Sequence, residues 1–157
     1  MEESLLGLLV KFVMKSIDQI QIQDKTILIR VDYNVPISNG VISNTFRIDS
    51  SLKTIEYCLQ NNCKIVLMSH LGRPNSQSEK YSLHPVFEYL SKLFKNKVLF
   101  SDDCISDEAI SKSRSLQNGE IHVLENLRFY AEELICDRDF SRKLSKHGDI
   151  FINDAFG

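Results

Sequence analysis

The stretch KIVLMSHLGRP, residues 64–74, decides the fold of this chain. Its first five residues form an almost wholly apolar run, which is typical of a strand buried on both faces of a parallel sheet. The polarity then reverses, and a loop follows that carries His70 and Arg73. Gly72 permits a turn in this loop, and Pro74 prevents the strand from continuing. A cationic loop therefore follows the carboxyl end of a buried strand, which is where open α/β sheets bind ligands.

The composition predicts an ordinary globular domain. A length of 157 residues is enough for one domain with a real core, and 43% hydrophobic with 25% charged residues is typical of globular proteins. The 19 basic and 21 acidic residues give a net charge of -2, which argues against a nucleic-acid or membrane-surface binder, since both need a basic face. Any site for an anion must therefore be local.

The four cysteines indicate a reducing compartment. Cys58, Cys63, Cys104 and Cys136 show neither CxxC nor Cys/His metal spacing, and they do not resemble the framework of a small secreted protein. We therefore expect free, mostly buried thiols, a cytoplasmic location and no metal site.

The amino terminus carries a short apolar run between Leu5 and Val13. Lys11 interrupts this run, which is too short to span a membrane, and the two glutamates before it are unlike the start of a secretory signal. We interpret residues 1–14 as an amphipathic extension or an over-long gene start, with Met14 as an alternative first residue.

Strand and helix patterns alternate along the rest of the chain. We predict strands over 26–31, 64–68, 98–100, 121–124 and 150–152. Helices are expected from Ile48 to Asn61, from an N-cap at Ser82 to Leu93, and over 107–116 and 139–147, with loops over 32–44 and 125–136. Such repeated units favour an α/β fold, a doubly wound, Rossmann-like parallel sheet with helices on both faces.

Five polar side chains lie just beyond the carboxyl ends of the first, second and fourth predicted strands: Asp32, Asn34, His70, Arg73 and Arg128. Loops are polar by default, so a solvated loop remains the alternative for each residue taken alone. Three loops from distant sequence positions would nevertheless meet at one edge of the sheet, which favours a binding site.

The chemistry of these residues suits a small, multiply charged anion. The sequence has neither GxxxxGK[ST] nor GxGxxG after the first strand, so recognition would depend on arginines. Arg47, Arg73 and Arg128 can each meet a phosphate or carboxylate through two parallel hydrogen bonds. The Asp32 carboxylate would repel phosphate, so we expect it to orient an arginine or accept from a hydroxyl, with Asn34 beside it as donor and acceptor.

Several blocks together resemble phosphoglycerate kinase: RVDYNVP (30–36), Arg47 with Ile48, LMSHLGRP (67–74), SDDC (101–104), LENLRF (124–129) and NDAFG (153–157). The resemblance implies a glycolytic kinase of two α/β lobes, of which residues 15–157 would be the amino-terminal, substrate-binding domain. That lobe would bind 3-phosphoglycerate or 1,3-bisphosphoglycerate. The carboxyl-terminal lobe would bind magnesium ADP or ATP, and closure of the two lobes would bring the reactants together.

The resemblance also implies roles for single residues. Asp32 and Asn34 would contact the substrate near its hydroxyl and carboxylate, and the basic patch would consist of Arg47, His70, Arg73 and Arg128. Arg47 would be catalytic, stabilising the phosphoryl group during transfer, while His70 and Arg73 would hold the non-reacting end of the substrate. For Asp102 and Asp103 we expect structural roles.

The chain stops at NDAFG, before the nucleotide lobe and hinge of that family. We therefore expect a monomer that binds 3-phosphoglycerate but does not turn over alone, with some apolar surface uncovered. Two alternatives remain. One is a noncatalytic anion-binding module from a truncated gene. The other is a phosphoacceptor receiver domain, which would need a lysine after the fifth strand, where this chain has Asn153 and Asp154.

Overall fold

The computed structural model describes residues 15–95 and 97–155, and a parallel sheet of five strands lies at its centre. The strands in chain order are β1 (Thr26–Val31), β2 (Ile37–Ser38), β3 (Val41–Ile42), β4 (Lys64–Met68), β5 (Val98–Ser101), β6 (Ile121–Leu124) and β7 (Ile150–Asp154). The main sheet has the order β5-β6-β4-β1-β7 with every pair parallel, while β2 and β3 form a separate antiparallel pair. The predicted extension over residues 1–14 lies outside the described residues.

Helices cover both faces of the sheet: α1 (Phe46–Gln60), α2 (His84–Leu93), α3 (Asp107–Arg114), α4 (Ala131–Leu134) and α5 (Arg138–Ser145). Successive side chains of a strand point to opposite faces. Ile29 of β1 accordingly belongs to a core that includes Ile55 of α1 and Leu90 of α2. Its neighbour Leu28 belongs to a second core with Phe140 of α5. The predicted doubly wound α/β fold is therefore confirmed.

The predicted helix ends differ from the observed ones by a few residues, and side-chain hydrogen bonds lie at two of the helix starts. The helix expected from Ile48 begins at Phe46, where Asn44, the residue before the N-cap Thr45, accepts a hydrogen bond of 2.9 Å from the Phe46 N–H through Oδ1. The last predicted helix begins one residue earlier than expected, at Arg138, since Asp137 Oδ1 accepts from the Phe140 N–H at 2.8 Å.

Two segments predicted as plain loops contain regular structure. In residues 32–44, β2 and β3 form a hairpin whose turn residues Asn39 and Gly40 have φ of 51° and 73°. An Asn-Gly pair with both residues at positive φ is the preferred two-residue hairpin turn, so this signal was present in the sequence. Residues 125–136 contain a 3-10 turn at Leu127–Phe129 and the short helix α4. Both loop predictions were wrong in this respect.

A buried chain of hydrogen bonds crosses the face covered by α3 and α5. His147 Nε2 lies 3.0 Å from the Cys104 carbonyl, which can only accept, so His147 Nδ1 accepts from Ser113 Oγ at 2.6 Å. Ser113 Oγ in turn accepts from His122 Nδ1 at 2.7 Å, and His122 Nε2 accepts from Ser101 Oγ at 2.8 Å. These directions hold for neutral imidazoles, and burial lowers the pKa of both histidines, which favours the neutral form.

An apolar groove of about 460 Å³ lies beside the edge strand β7, between the sheet and α5. Leu28, Met68, Phe140 and Phe151 line it, and Phe151 is 58% exposed. The structure thus has exposed apolar surface of the kind that the sequence leads us to expect.

Candidate anion-binding site

The loops after β1, β4 and β6 meet at the carboxyl edge of the sheet and are joined by hydrogen bonds. Asn34 Oδ1 accepts from the Gly72 N–H at 2.8 Å, and Ser69 Oγ accepts from the Tyr33 N–H at 2.9 Å. The loop after β6 joins the same assembly, because the Leu127 N–H donates to the Ser69 carbonyl at 3.0 Å. The three loops expected to converge therefore form one connected surface.

Asn126 fixes the loop after β4 against the loop after β6. Its Oδ1 accepts from the N–H groups of Leu71 and Arg128 at 3.0 and 2.9 Å. Its Nδ2 donates to the carbonyls of Leu71 and Tyr81 at 2.8 and 2.9 Å. A fully buried amide with four hydrogen bonds holds the backbone around Arg128 in one position.

Glu125 fixes the start of α2 against the loop after β6. Its buried carboxylate accepts from the N–H groups of Leu83 and Asn126 at 2.8 and 2.7 Å, and from Ser82 Oγ at 2.6 Å. Ser82 Oγ also accepts from the His84 N–H at 3.1 Å, so the predicted N-cap residue contacts the first turn of α2, although the helix begins at His84. Glu125 and Asn126 are absent from the predicted site residues.

Asp32 and Arg47 form the first charged pair of the site. Arg47 Nη1 donates to Asp32 Oδ2 at 2.6 Å, and Asp32 Oδ1 accepts from the Asn34 N–H at 3.1 Å. The side chain of Arg47 is 44% exposed, so its guanidinium group also faces solvent. Asp32 thus contacts an arginine, which is one of the two arrangements expected of it.

A second charged group joins Arg128 to two residues that are not among the predicted site residues. Glu133 of α4 accepts from Arg128 Nε at 2.8 Å through Oε2 and from Arg30 Nη2 at 3.0 Å through Oε1. All three side chains are partly buried. Arg30 carries a sequence signal, since it interrupts the apolar run TILIRV of β1. Glu133 carries none, because α4 was not predicted.

His70 lies half-buried among these charges. Burial lowers the pKa of His70, and the guanidinium groups of Arg128 and Arg30 lower it further. The carboxylates of Asp32 and Glu133 act in the opposite direction. The imidazole is therefore neutral at pH 7 and contributes hydrogen-bonding capacity, not positive charge, to the expected basic patch.

Arg73 follows Gly72 and is exposed, and it has no ion pair within the part of the chain that the structure describes. Its guanidinium group is therefore available to a ligand. Together, Arg30, Arg47, Arg73 and Arg128 place four permanent positive charges at this edge, against the carboxylates of Asp32, Glu125 and Glu133. The site is locally positive in a chain whose net charge is negative.

Asp103 has the structural role expected of it: its Oδ1 accepts from the N–H groups of Ile105 and Ser106 at 2.9 and 2.8 Å, which fixes the turn before α3.

The cysteines are free as predicted, with Cys58, Cys63 and Cys104 buried and Cys136 exposed. Residues 15–95 and 97–155 contain no group of three or more His, Cys, Asp or Glu side chains placed to hold a metal ion. None of the helices described there has the length and apolarity needed to cross a membrane.

The fold and the arginine-rich edge together define a doubly wound α/β domain with a positively charged site at the carboxyl ends of its strands. The chain belongs to the phosphoglycerate kinase family, because the family model described as phosphoglycerate kinase matches residues 17–157. The resemblance carried by the sequence blocks is thereby confirmed, and the receiver-domain alternative is excluded.

Individual proteins that are similar to this chain in sequence or structure are also phosphoglycerate kinases. The chain is 46% identical over 144 residues to the phosphoglycerate kinase of Elusimicrobium minutum and 43% identical over 144 residues to that of Aquifex aeolicus. Each alignment covers 91% of this chain and 36% of the relative. A solved phosphoglycerate kinase from Pyrococcus horikoshii superposes with a TM-score of 0.81 at 34% identity, covering 91% of this chain and 37% of that one. A structure from Coxiella burnetii gives 0.80 at 31% identity, covering 90% and 35%. The chain thus spans little more than a third of the length of these relatives.

Proposed function

We propose that this chain supplies the substrate-binding domain of a phosphoglycerate kinase, within residues 15–157. The parent reaction transfers phosphate between 1,3-bisphosphoglycerate and ADP to give 3-phosphoglycerate and ATP. The observation that carries the proposal is the convergence of three loops, which brings arginines from β1, α1 and the turns after β4 and β6 to one edge of the sheet. Several guanidinium groups can bind a small anion with two charged ends, such as 3-phosphoglycerate, better than one guanidinium group could.

Different residues of the site would contact the two ends of the substrate. Arg47 lies on the first turn of α1 and faces solvent, which suits stabilisation of the phosphoryl group as it is transferred. Arg73, Arg128 and the neutral His70 would hold the other end. Asp32 and Asn34 would contact the hydroxyl and carboxylate, while Asp32 keeps Arg47 in place. In phosphoryl transfer such positioning and charge stabilisation do most of the catalytic work.

We assign the magnesium ADP or ATP site to the part of the relatives' length that this chain does not span. The described residues offer neither a carboxylate group suited to magnesium nor a glycine-rich phosphate loop. They do not fit a magnesium nucleotide. This chain alone would bind 3-phosphoglycerate as a monomer in the cytoplasm, without turnover.

The test is a titration of the 157-residue chain with 3-phosphoglycerate. Binding is monitored by calorimetry and by the NMR signals of the three loops. We expect binding in the millimolar range or tighter, weakened about tenfold by Arg73→Ala because one charge-assisted contact is lost. Arg142→Ala is the matched control, since Arg142 is exposed on α5 and pairs only locally with Asp139. No response to 3-phosphoglycerate, or tight binding of magnesium ADP, would contradict the proposal. Equal affinity for inorganic phosphate would favour the noncatalytic anion-binding module.

A further inference from the structure

Glu133 occupies an unusual position among the charges of the site. Each of its two carboxylate oxygens accepts from a different arginine, Oε2 from Arg128 Nε and Oε1 from Arg30 Nη2. Arg30 is the next-to-last residue of β1, and Arg128 lies on the turn after β6. The carboxylate thus joins two strands that are not neighbours, since β4 lies between them. Only 12% of the Glu133 side chain is exposed.

The contact between Arg128 and Glu133 determines which nitrogens of Arg128 can bind a ligand. The hydrogen bond to Glu133 uses Nε, and within residues 15–95 and 97–155 no other guanidinium nitrogen of Arg128 forms a hydrogen bond. Both terminal amino groups remain available for a bidentate contact with a carboxylate or phosphate. A guanidinium group fixed through Nε is also preorganised, so less side-chain freedom is lost when the anion binds.

Electrostatics make the position of both arginines dependent on this one carboxylate. Arginine keeps its charge at any working pH, so two partly buried guanidinium groups repel each other unless an anion lies between them. Glu133 lies between them in the ligand-free domain. It also opposes the effect of the two arginines on His70, because its carboxylate raises the pKa that they lower.

We propose that Glu133 is a positioning residue of the anion site: it holds Arg30 and Arg128 so that the terminal amino groups of Arg128 face the bound anion. The inference rests on the proposed function for the identity of that anion, 3-phosphoglycerate. Glu133 does not itself touch the substrate.

Glu133→Gln and Glu132→Gln form a matched pair of variants. Both residues lie on α4, and both changes remove one negative charge while preserving side-chain size, but Glu132 is exposed. If Glu133 were merely a nearby charge, its loss would strengthen anion binding. A positioning role predicts the reverse, a loss of about tenfold in affinity for 3-phosphoglycerate in Glu133→Gln, with little change or a slight gain in Glu132→Gln.

Two readouts in ligand-free protein separate this inference from the proposed function. The NMR signal of Arg128 Nε–H should exchange slowly with solvent in the unsubstituted chain and in Glu132→Gln, and rapidly in Glu133→Gln. The pKa of His70, followed by NMR, should fall in Glu133→Gln only. If the unsubstituted chain fails to bind 3-phosphoglycerate, the proposed function is overturned, while the exchange of Arg128 Nε–H in the ligand-free protein still decides whether Glu133 positions the arginines. The pKa of His70 shows that the carboxylate lies close to the imidazole. Unchanged signals, or an affinity in Glu133→Gln equal to or higher than in Glu132→Gln, would overturn the positioning role.

Discussion

Asn34 Oδ1 accepts a hydrogen bond of 2.8 Å from the backbone N–H of Gly72, across 38 positions of sequence. This contact connects the loop after β1 directly to the loop that carries His70 and Arg73. Both groups are exposed, so the contact contributes more to the relative position of the two loops than to the stability of the core.

Asn34→Ala should therefore weaken binding without unfolding the domain. We expect a loss of about tenfold in affinity for 3-phosphoglycerate and a change below about 1 kcal/mol in the free energy of unfolding, as is usual for exposed hydrogen bonds. Calorimetric titration and urea denaturation measure the two quantities. A large loss of stability with unchanged affinity would show that the contact serves the fold instead.

Glu125→Gln should destabilise the domain. The buried carboxylate accepts three hydrogen bonds, two from backbone N–H groups at Oε1 and one from Ser82 Oγ at Oε2. An amide in its place keeps one acceptor oxygen, so the Ser82 hydroxyl loses its acceptor and the two backbone bonds lose their charge assistance. We expect a cost of about 2 kcal/mol in the free energy of unfolding, measured by urea denaturation. Glu120→Gln is the control, because Glu120 accepts one exposed hydrogen bond from Gln117 N–H. Equal effects in the two variants would argue against the role given to Glu125.

The chain of hydrogen bonds through His122 and His147 should make stability fall in mild acid. Burial, with the neighbouring His147 and Lys112, lowers the pKa of His122 to about 3, and burial also lowers the pKa of His147. Below the unfolded-state pKa of about 6.5 the unfolded chain binds protons that the folded chain does not, so stability falls as the pH decreases. Each histidine contributes up to about 1.4 kcal/mol per pH unit between about pH 6.5 and its folded pKa.

Urea denaturation at several pH values between 7 and about 4.5 tests this linkage. His122→Gln should reduce the slope of stability against pH by one proton, even though the variant is less stable at every pH. Leu116→Ala should leave the slope unchanged, because it destabilises the same core without removing an ionisable group. Identical slopes in all three proteins would refute the assignment.

Gly148→Ala should destabilise the domain through a steric clash. A Cβ atom at Gly148 would lie 2.9 Å from both Leu28 Cβ and Leu28 N, and 3.2 Å from the Thr26 carbonyl. The backbone atoms of β1 cannot move aside without disturbing the sheet, so we expect a cost of about 2 kcal/mol. Gly40→Ala provides the comparison, since its φ of 73° is strained for alanine but no atom lies within 4 Å. In thermal unfolding, the midpoint temperature of Gly148→Ala should be lower than that of Gly40→Ala.

The sheet was predictable because its signals are local. The mainly apolar runs 26–31 and 121–124 have the observed bounds of β1 and β6, since a strand buried on both faces is rich in apolar residues. The hairpin of β2 and β3 was missed although Asn39 and Gly40 are its turn signal. Each of its strands has only two residues, too few for an alternating pattern.

Position in the chain predicted the meeting of those candidate residues that lie next to a strand end, whereas Arg47, on the first turn of α1, was predicted from its chemistry and from the family resemblance. Asp32, Asn34, His70, Arg73 and Arg128 follow β1, β4 and β6 closely, so the rule for carboxyl ends located them. The contact of Arg30 with Glu133 joins positions 103 residues apart and depends on the orientation of a four-residue helix. No sequence period or motif encodes such a pairing, because it arises only when the folded loops meet.

The edge strand β7 has a consequence for how the domain behaves in solution. Among the described residues β7 pairs only with β1, so its outer row of peptide groups is open to another strand. Open edges of this kind are templates for aggregation. Here the strand has only five residues, which limits the number of hydrogen bonds that a second copy could add along this edge of the sheet.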